Sequence, residues 1–234
     1  MSKYVSKIEK LKPVKCAEVG NKAFNLQKIS ELDYVKIPLS IVFNIHDAKE
    51  DEEALNDLLL EVRNRFKYPI IVRSSSSVED SDSSFAGQFL SMVCANEQEL
   101  VENVSKILYC VDSENIKEYC RFHGIDFKTI KMAVLVQQYL VPQFAGVLFT
   151  KHPVLSIDDM YTEYKANSSD AVTSGESKVI SQLLPRRGAI DDVYFKQLRD
   201  IAISAENYFG YPLDIEWIVS DDKLWIVQVR KITS

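Results

Sequence analysis

Glycine is scarce in this chain, and its few glycines are widely separated. Only 7 of the 234 residues are glycine, and they form neither a Gly-x-Gly-x-x-Gly pattern nor a Gly-x-x-x-x-Gly-Lys pattern followed by Ser or Thr. Those patterns mark the Rossmann and P-loop phosphate sites, in which glycine lets the backbone approach a phosphate closely. Their absence excludes both fingerprints, so any phosphate site in this chain must be built in another way.

Cysteine is also sparse. The four cysteines (Cys16, Cys94, Cys110 and Cys120) include no Cys-x-x-Cys pair. The sequence therefore predicts neither a zinc site nor a thioredoxin-type dithiol. Reduced thiols in a cytoplasmic protein are the simplest interpretation.

Long apolar runs and clusters of basic residues are missing too. No uninterrupted apolar segment approaches the ~20 residues of a membrane helix, and residues 1–7 lack the apolar core of a signal peptide. The formal net charge is -6, whereas surfaces that bind nucleic acid or anionic membranes rely on clustered Lys and Arg. We therefore expect a soluble cytoplasmic protein that binds neither nucleic acid nor membrane. A hydrophobic content of 46% is sufficient for a normal core.

The most informative segment of the chain runs from Ile70 to Gln88. A β-branched run ends at Arg73, breaks into a serine-rich loop and closes on Phe85-Ala86-Gly87-Gln88. An arginine at the edge of a buried strand, followed by backbone amides and small hydroxyls, provides the charge and the small donors that a polyphosphate needs. A solvated serine linker is the alternative interpretation. The strand-like residues on both sides of the loop favour the phosphate site.

Hydrophobic periodicity predicts a mixed α+β order, with a helix-rich first part and a β-rich second part. Helices are predicted at 21–32, 52–66, 97–110, 113–123 and 191–209. Strands are predicted at 40–45, 70–73, 88–94, 132–140, 145–149, 160–164, 177–183, 214–219 and 223–229. The last two strands are expected to form a hairpin around Ser220-Asp221-Asp222.

The 70–88 segment resembles a signature of the nucleotide-binding domain in the phosphoenolpyruvate synthase and pyruvate phosphate dikinase family. The family pattern is Val-Arg-Ser-Ser, then Glu-Asp, then Ser-Phe-Ala-Gly-Gln, and all three parts occur here in that order. The resemblance implies a two-lobed ATP-grasp fold of class α+β, with Mg-ATP between the lobes. It implies one domain over 1–234, with lobes of about 1–128 and 129–234. From this segment, the residues implied to bind ATP are Arg73, Ser74, Ser75 and Gln88.

A second motif, Gly20-Asn21-Lys22-Ala23-Phe24-Asn25-Leu26, resembles the family's Gly-Gly-Lys-x-x-Asn-Leu, with Asn21 in place of the second glycine. In the family this lysine reaches the nucleotide phosphates, which implies the same role for Lys22. Lys22 at a helix start adds a charge beside backbone N–H groups that already favour anions. A solvated lysine on a surface helix is the alternative.

A third motif joins residues 134–140 to residues 144–150, and it resembles the family's Val-Gln-x-Met followed by Ala-Gly-Val-x-Phe-Thr. In the family this hairpin-like segment borders the adenine and lays a strand along the phosphates. An adenine needs a backbone donor and acceptor together with apolar surfaces. The residues implied to bind the nucleotide are Gln137, Gln138, Leu140, Gly146 and Thr150. A buried hairpin without a ligand is the alternative.

A fourth motif, from Glu163 to Gly175, resembles the family's Gly-Leu-Gly-Glu-x-x-Val-x-Gly loop loosely. Asn167 and Ser169 stand in place of glycines, and Asp170 stands in place of the usual glutamate. Glycine lets a backbone approach a ligand closely, so these replacements bear on turnover. The resemblance implies that Glu163 contacts the nucleotide.

A fifth motif comprises Asp214-Ile215-Glu216-Trp217 and then Leu224 to Arg230, which resembles the family's Asp-Ile-Glu-Trp, hairpin, Gln-x-Arg. Residues two apart on a strand share a face, so Asp214 and Glu216 project together, as do Gln228 and Arg230. Asp214, Glu216 and Gln228 offer hard oxygen ligands for Mg²⁺, and Arg230 offers charge for a phosphate. Cross-strand pairing on a polar face is the alternative.

Together the five motifs imply a module that binds ATP and Mg²⁺ and passes a phosphoryl or pyrophosphoryl group to a histidine. In the family that histidine lies on a swivelling domain, and a further domain binds the final acceptor. Neither domain is recognisable in these 234 residues, so we expect both partners in a longer chain or a separate subunit. Lys22, Arg73 and Arg230 are the residues expected to act on the phosphates.

None of the three histidines (His46, His123 and His152) stands in a Thr-Ser-His-Ala context like the family's phosphohistidine segment. Two other functions remain open at this point. One is a non-catalytic nucleotide-binding or regulatory relative that has lost turnover. The other is a stand-alone ATP-grasp ligase, for which no motif identifies an acceptor site.

Overall fold

A computed structural model of the chain describes residues 5–8, 15–44, 52–77, 90–110, 113–155, 157–166 and 179–232. Residues 1–27 and 39–139 form one compact unit, and residues 28–38 and 140–234 form a second. Each unit is built around a five-stranded sheet with antiparallel pairing throughout. The combination of helices with antiparallel sheets confirms the predicted α+β class. Gln88 and the loop from Asn167 to Gly175 lie outside the described residues.

The first unit has the strand order β1-β2-β5-β3-β4. Its strands are β1 (Val5–Lys7), β2 (Ser40–Asn44), β3 (Ile70–Ser76), β4 (Ser91–Cys94) and β5 (Met132–Gln138). Its helices are α1 (Cys16–Ser30), whose last three residues belong to the second unit, α2 (Glu52–Arg65), α3 (Glu97–Cys110) and α4 (Glu114–His123), with a 3-10 turn at Phe127–Thr129. Gly20 interrupts α1 with φ 73° and ψ 170°, so the regular helix begins after it, as predicted.

One face of this sheet forms the core of the first unit. Alternate strand residues, among them Phe43, Val72 and Val134, pack with Leu58 of α2 and Leu100 of α3. Each fully buried aliphatic side chain contributes about 1.5–3 kcal/mol to folding. Because side chains alternate along a strand, Arg73 and Ser75 project from the opposite face.

The second unit has the strand order β10-β9-β6-β7-β8. Its elements are β6 (Phe144–Phe149), β7 (Met160–Ala166), β8 (Ile180–Leu184), α5 (Val193–Phe209), β9 (Leu213–Ser220) and β10 (Lys223–Lys231). The Asp192 carboxylate accepts hydrogen bonds from the Tyr194 and Phe195 amides and so caps α5, which ends at Gly210 in a left-handed conformation. The apolar side of α5 packs on β9 and β10.

Two features differ from the sequence-based expectation. The strand predicted to end at Arg73 continues to Ser76, because Ser74, Ser75 and Ser76 pair with β5. The segments predicted to form a hairpin, β5 and β6, lie in different sheets: β5 pairs with β2 and β3, whereas β6 pairs with β7 and β9. Apolar strands that follow each other in sequence do not reveal from periodicity alone whether they pair. Among the described helices, none is long and apolar enough to cross a membrane.

Candidate functional site

Gly20 brings the start of α1 against strand β3. A Cβ atom at this position would lie 2.3 Å from the Ser75 carbonyl oxygen, and the backbone conformation is one that essentially only glycine adopts. The Ala23 amide donates to the Ser75 hydroxyl at 3.1 Å, and the Asn21 side-chain amide donates to the Ser77 carbonyl at 3.4 Å. These contacts hold the predicted lysine motif beside the predicted arginine motif.

Lys22 and Arg73 are the two cations at this junction. The Lys22 ammonium donates to the carbonyl oxygen of Ser74, the residue after Arg73, at 3.3 Å. The Arg73 Nε atom donates to the Ser91 hydroxyl at 3.3 Å. Only 7% of Lys22 and 9% of Arg73 are exposed. Two positive charges that lie next to one strand are an arrangement that suits an anionic ligand such as a phosphate.

The serines after Arg73 have a structural role that sequence analysis missed. Ser74, Ser75 and Ser76 are fully buried. The Ser74 hydroxyl accepts from the Leu90 amide at 3.1 Å, and the Ser75 hydroxyl accepts from Ala23. These hydroxyls therefore fix the backbone around Lys22 and Arg73, and contact of Ser74 and Ser75 with the nucleotide stays a prediction.

The residues predicted to border the adenine lie at and after the end of β5. Gln137 is buried and donates to the Ser40 hydroxyl at 3.3 Å. The Gln138 side chain donates to the Lys67 and Pro69 carbonyls at 2.8 and 3.1 Å. These bonds hold residues 67–69, immediately before β3, against the end of β5. Leu140 follows the strand and is half-buried.

In the second unit, one face of the sheet carries α5 and the other carries ionisable and amide side chains. We call the latter the charged face, which is defined by Glu163, Lys165, Asp214, Glu216, Gln228 and Arg230. Strand register aligns these residues: Gln228 lies opposite Glu216, and Arg230 lies opposite Asp214. The motif that sequence analysis identified in two separate strands is therefore brought together.

A β-bulge makes this alignment possible. Ile226 pairs with Trp217 and Gln228 pairs with Glu216, so Val227 is the extra residue. A shift of one residue moves every following side chain to the other face of a sheet. Without the bulge, Gln228 would lie opposite Ile215 on the face that α5 covers. The bulge thus places Gln228 and Arg230 on the charged face.

Asp214 and Arg230 form the best-defined polar contact on this face. The Asp214 Oδ2 atom accepts a hydrogen bond from Arg230 Nε at 2.7 Å, and Arg230 Nη2 lies 2.6 Å from the same oxygen as an ion-pair contact. The Asp214 Oδ1 atom is buried and has no hydrogen-bond partner among the described residues. Burial raises the pKa of Asp214, and Glu216 raises it further, although Arg230 opposes both effects. An unsatisfied buried acceptor costs about 1–3 kcal/mol, which a cation at Oδ1 would offset.

The donor set fits a hard divalent cation. Carboxylate and amide oxygens are preferred ligands of Mg²⁺, and Asp214, Glu216 and Gln228 offer three of them on neighbouring strands. Across the described ranges, no three His, Cys, Asp or Glu side chains group as a metal cluster. The set therefore reaches three protein ligands only through the Gln228 amide.

A cleft of about 480 Å³ opens on the charged face. Its charged lining residues are Glu163, Lys165, Glu216 and Arg230, and Val147 and Phe149 contribute apolar surface. The cleft thus combines opposite charges with apolar walls, as small-molecule sites commonly do. Sequence analysis missed Lys165, although the alternation of β7 places it on the same face as Glu163.

Gly146 and Thr150 support this sheet from within. A Cβ at Gly146 would lie 2.4 Å from the Glu163 carbonyl oxygen and 2.9 Å from the Trp217 ring, so packing requires glycine here. Thr150 is buried, and its hydroxyl accepts from the Leu213 amide at 2.8 Å. That bond ties the end of β6 to the start of β9, immediately before Asp214.

Comparison with known proteins also indicates an ATP-binding domain. Residues 43–169 and 155–234 match the family model described as pyruvate phosphate dikinase, AMP/ATP-binding domain. The chain is 24% identical to a rifampicin phosphotransferase of Streptomyces sviceus, over 99% of this chain and 36% of the relative. It is 28% identical to a probable phosphoenolpyruvate synthase of Archaeoglobus fulgidus, over 70% of this chain and 27% of the relative. The chain thus spans about a third of the length of these curated relatives.

Among solved structures, a D-alanine--D-alanine ligase from Bacillus anthracis superimposes with a TM-score of 0.50 at 11% sequence identity. The match covers 94% of this chain and 58% of the ligase. At that identity the likeness concerns the fold alone, which is of the ATP-grasp type.

Proposed function

Because the chain belongs to the pyruvate phosphate dikinase AMP/ATP-binding domain family, we propose that it binds Mg-ATP and donates a phosphoryl or pyrophosphoryl group to a histidine on a separate domain or subunit. One observation carries the proposal: strand register and a bulge gather two carboxylates, an amide and a guanidinium on one sheet face. Such a set suits a metal-bound polyphosphate.

The metal would be held by Asp214, Glu216 and Gln228. The buried Oδ1 atom of Asp214, which has no hydrogen-bond partner among the described residues, supports this assignment. When bound, Mg²⁺ neutralises the negative charge of the nucleotide phosphates. The Arg230 guanidinium is oriented by a hydrogen bond from Nε and an ion-pair contact of Nη2 with Asp214 Oδ2, so it can neutralise phosphate charge while it keeps its orientation.

Lys22 and Arg73 would contribute further positive charge to the phosphates. Both are held by hydrogen bonds to neighbouring strand residues and are largely buried. Fixed charges at low exposure need little rearrangement as charge develops on a transferring phosphoryl group. Catalysis in this proposal consists of positioning and charge neutralisation, and no residue of the chain forms a covalent intermediate.

His152, whose side chain is among those described, does not stand in a Thr-Ser-His-Ala context like the family's phosphohistidine segment. Its Nδ1 atom accepts from the Val154 and Leu155 amides at 3.1 and 2.9 Å, and these two bonds do not involve the Nε2 atom. We place the acceptor histidine on a phosphohistidine domain, and the final acceptor on a further domain, in the same longer chain or in another subunit.

Calorimetric titration of Mg-ATP tests the binding part of this proposal. Arg73→Ala and Glu216→Gln are each expected to weaken binding about tenfold or more, since each removes a charged contact. Arg63→Ala and Asp221→Asn are matched controls, because Arg63 pairs with Glu97 on the exterior and Asp221 lies in the β9–β10 turn. Unchanged affinity in Arg73→Ala and Glu216→Gln, with all variants folded, would overturn the site assignment.

The transfer step can be tested with free imidazole as a surrogate acceptor. We expect ³¹P NMR to detect N-phosphoimidazole or its pyrophosphoryl analogue when the chain, Mg-ATP and imidazole are incubated together. Formation of ADP indicates transfer of the γ-phosphoryl group, whereas formation of AMP with pyrophosphoimidazole indicates pyrophosphoryl transfer. Binding of ATP without any transfer would favour the non-catalytic alternative.

A further inference from the structure

Glu163 is held in place by a neighbour that no motif singled out. The Tyr161 hydroxyl donates to Glu163 Oε1 at 2.6 Å. The two residues are two apart on β7 and so share the charged face. Glu163 lines the cleft on that face, whereas Tyr161 acts on the cleft through Glu163.

The Tyr161 ring is itself fixed by aromatic contacts. It stacks with Phe149, with ring centroids 6.3 Å apart and an interplanar angle of 25°. It also contacts His152 at a centroid distance of 4.8 Å. The His152 ring is oriented in turn by two backbone amides that donate to its Nδ1 atom. A chain of contacts thus gives the Glu163 carboxylate a defined direction.

Chemistry limits what this carboxylate can contact on a nucleotide. An ionised carboxylate only accepts hydrogen bonds, and Tyr161 already occupies one oxygen. Phosphate oxygens are acceptors as well, so the donors that a nucleotide offers are its ribose hydroxyls and the adenine amino group. Glu163 and Glu216 both pair with Val147 from opposite sides, which places them about 10 Å apart across the sheet. In a nucleotide whose phosphates lie near Glu216, the ribose is nearer than the adenine amino group.

We propose that Tyr161 is a positioning residue that directs Glu163 onto the ribose hydroxyls, and that the pair determines selectivity for ribonucleotides. This inference rests on the proposed function, because it takes ATP as the ligand of the charged face. It adds a sugar-recognition role for which Tyr161 is required. The Tyr161→Phe change keeps the stacked ring and removes only the hydroxyl, so it separates positioning from packing.

The test compares the affinities of ATP, 2′-deoxy-ATP and 3′-deoxy-ATP by calorimetry. We expect the wild-type chain to favour ATP over at least one deoxy analogue by about tenfold, the loss of one hydrogen bond to a charged group. Tyr161→Phe should reduce that ratio to about threefold or less while retaining ATP binding. Tyr208→Phe is a matched control, because Tyr208 donates to Glu31 in another tyrosine–carboxylate pair away from the cleft.

Each outcome separates this inference from the proposed function. If the folded chain binds no ATP, the proposed function fails first. If it binds ATP and the ribose ratio is the same in wild type and Tyr161→Phe, only the inference fails. The last ligand to be compared by calorimetry is purine riboside triphosphate, which lacks the adenine amino group. Selectivity that depends on the amino group and not on the ribose hydroxyls would overturn the ribose assignment.

Discussion

Replacement of Gly20 by alanine should be among the most destabilising single changes in the first unit. Gly20 has φ 73° and ψ 170°, a region that costs other residues on the order of 1–3 kcal/mol. The added Cβ would also lie 2.3 Å from the Ser75 carbonyl oxygen and 2.4 Å from its carbon, both backbone atoms of a paired strand. Overpacking of this kind costs about 1–3 kcal/mol. We therefore expect a loss of about 2–6 kcal/mol in the free energy of unfolding.

Urea unfolding followed by far-ultraviolet circular dichroism measures this loss. Gly124→Ala is the matched control in the same unit, because Gly124 also has a positive φ, 64°, but a Cβ there meets nothing within 4 Å. The control should lose only the backbone term, about 1 kcal/mol. The difference between the two variants therefore contains the contact with Ser75 and the larger backbone cost at Gly20. Equal losses in Gly20→Ala and Gly124→Ala would refute the close approach of α1 to β3.

The same substitution should weaken ATP binding before it unfolds the chain. Lys22 lies two residues after Gly20, and its ammonium donates to the Ser74 carbonyl. Displacement of the α1 start by the new methyl group would shift this cation. Calorimetry at a temperature where the variant is still folded should show reduced affinity, whereas Gly124→Ala should bind like wild type.

Three further predictions concern buried groups. Gly146→Ala should lower the unfolding free energy by about 1–3 kcal/mol, measured in urea, because its Cβ would overlap β7 backbone and the Trp217 ring. Iodoacetamide at pH 8 should label half-buried Cys16 before Cys94, as read by mass spectrometry, because burial raises the pKa of Cys94 and excludes the reagent. Burial also raises the pKa of Asp214 in the folded chain. The stabilising contribution of Asp214 to the free energy of unfolding is therefore fully present below its pKa in the unfolded chain, about 3.9, and is lost as the pH rises through its pKa in the folded chain. The free energy of unfolding of Asp214→Asn should therefore increase relative to that of wild type as the pH is raised from 4 to 7.5. A difference between the two proteins that does not change with pH would contradict this.

Local patterns predicted the helices and most strands well. The 97–110 helix has an acidic first turn and an apolar stripe, and α3 spans Glu97–Cys110 as predicted. The hairpin of β9 and β10 also forms around the predicted turn. Both elements depend on neighbours close in sequence, where periodicity and turn residues are informative.

Features that depend on distant partners were not predictable in the same way. The continuation of β3 through Ser74–Ser76 depends on pairing with β5, more than fifty residues later. A serine run favours loops when considered alone, yet here Ser74, Ser75 and Ser76 are paired with residues of β5. The separation of β5 and β6 into two sheets likewise depends on strand pairing with distant residues. The bulge at Val227 leaves no clear sequence signal, although it decides which face Gln228 occupies.

The scarcity of glycine acquires a structural meaning from these observations. In phosphate sites of the Rossmann and P-loop types, glycines allow backbone amides to approach the ligand directly. Among the glycines that the structure describes, the two with crowded surroundings are Gly20 and Gly146, and they let protein elements approach each other: α1 contacts β3, and Trp217 contacts β6. That close packing positions side-chain groups, Lys22 in the first unit and the carboxylates of the charged face in the second. In this chain, recognition of phosphate by charged side chains would take the place of recognition by a glycine-rich backbone.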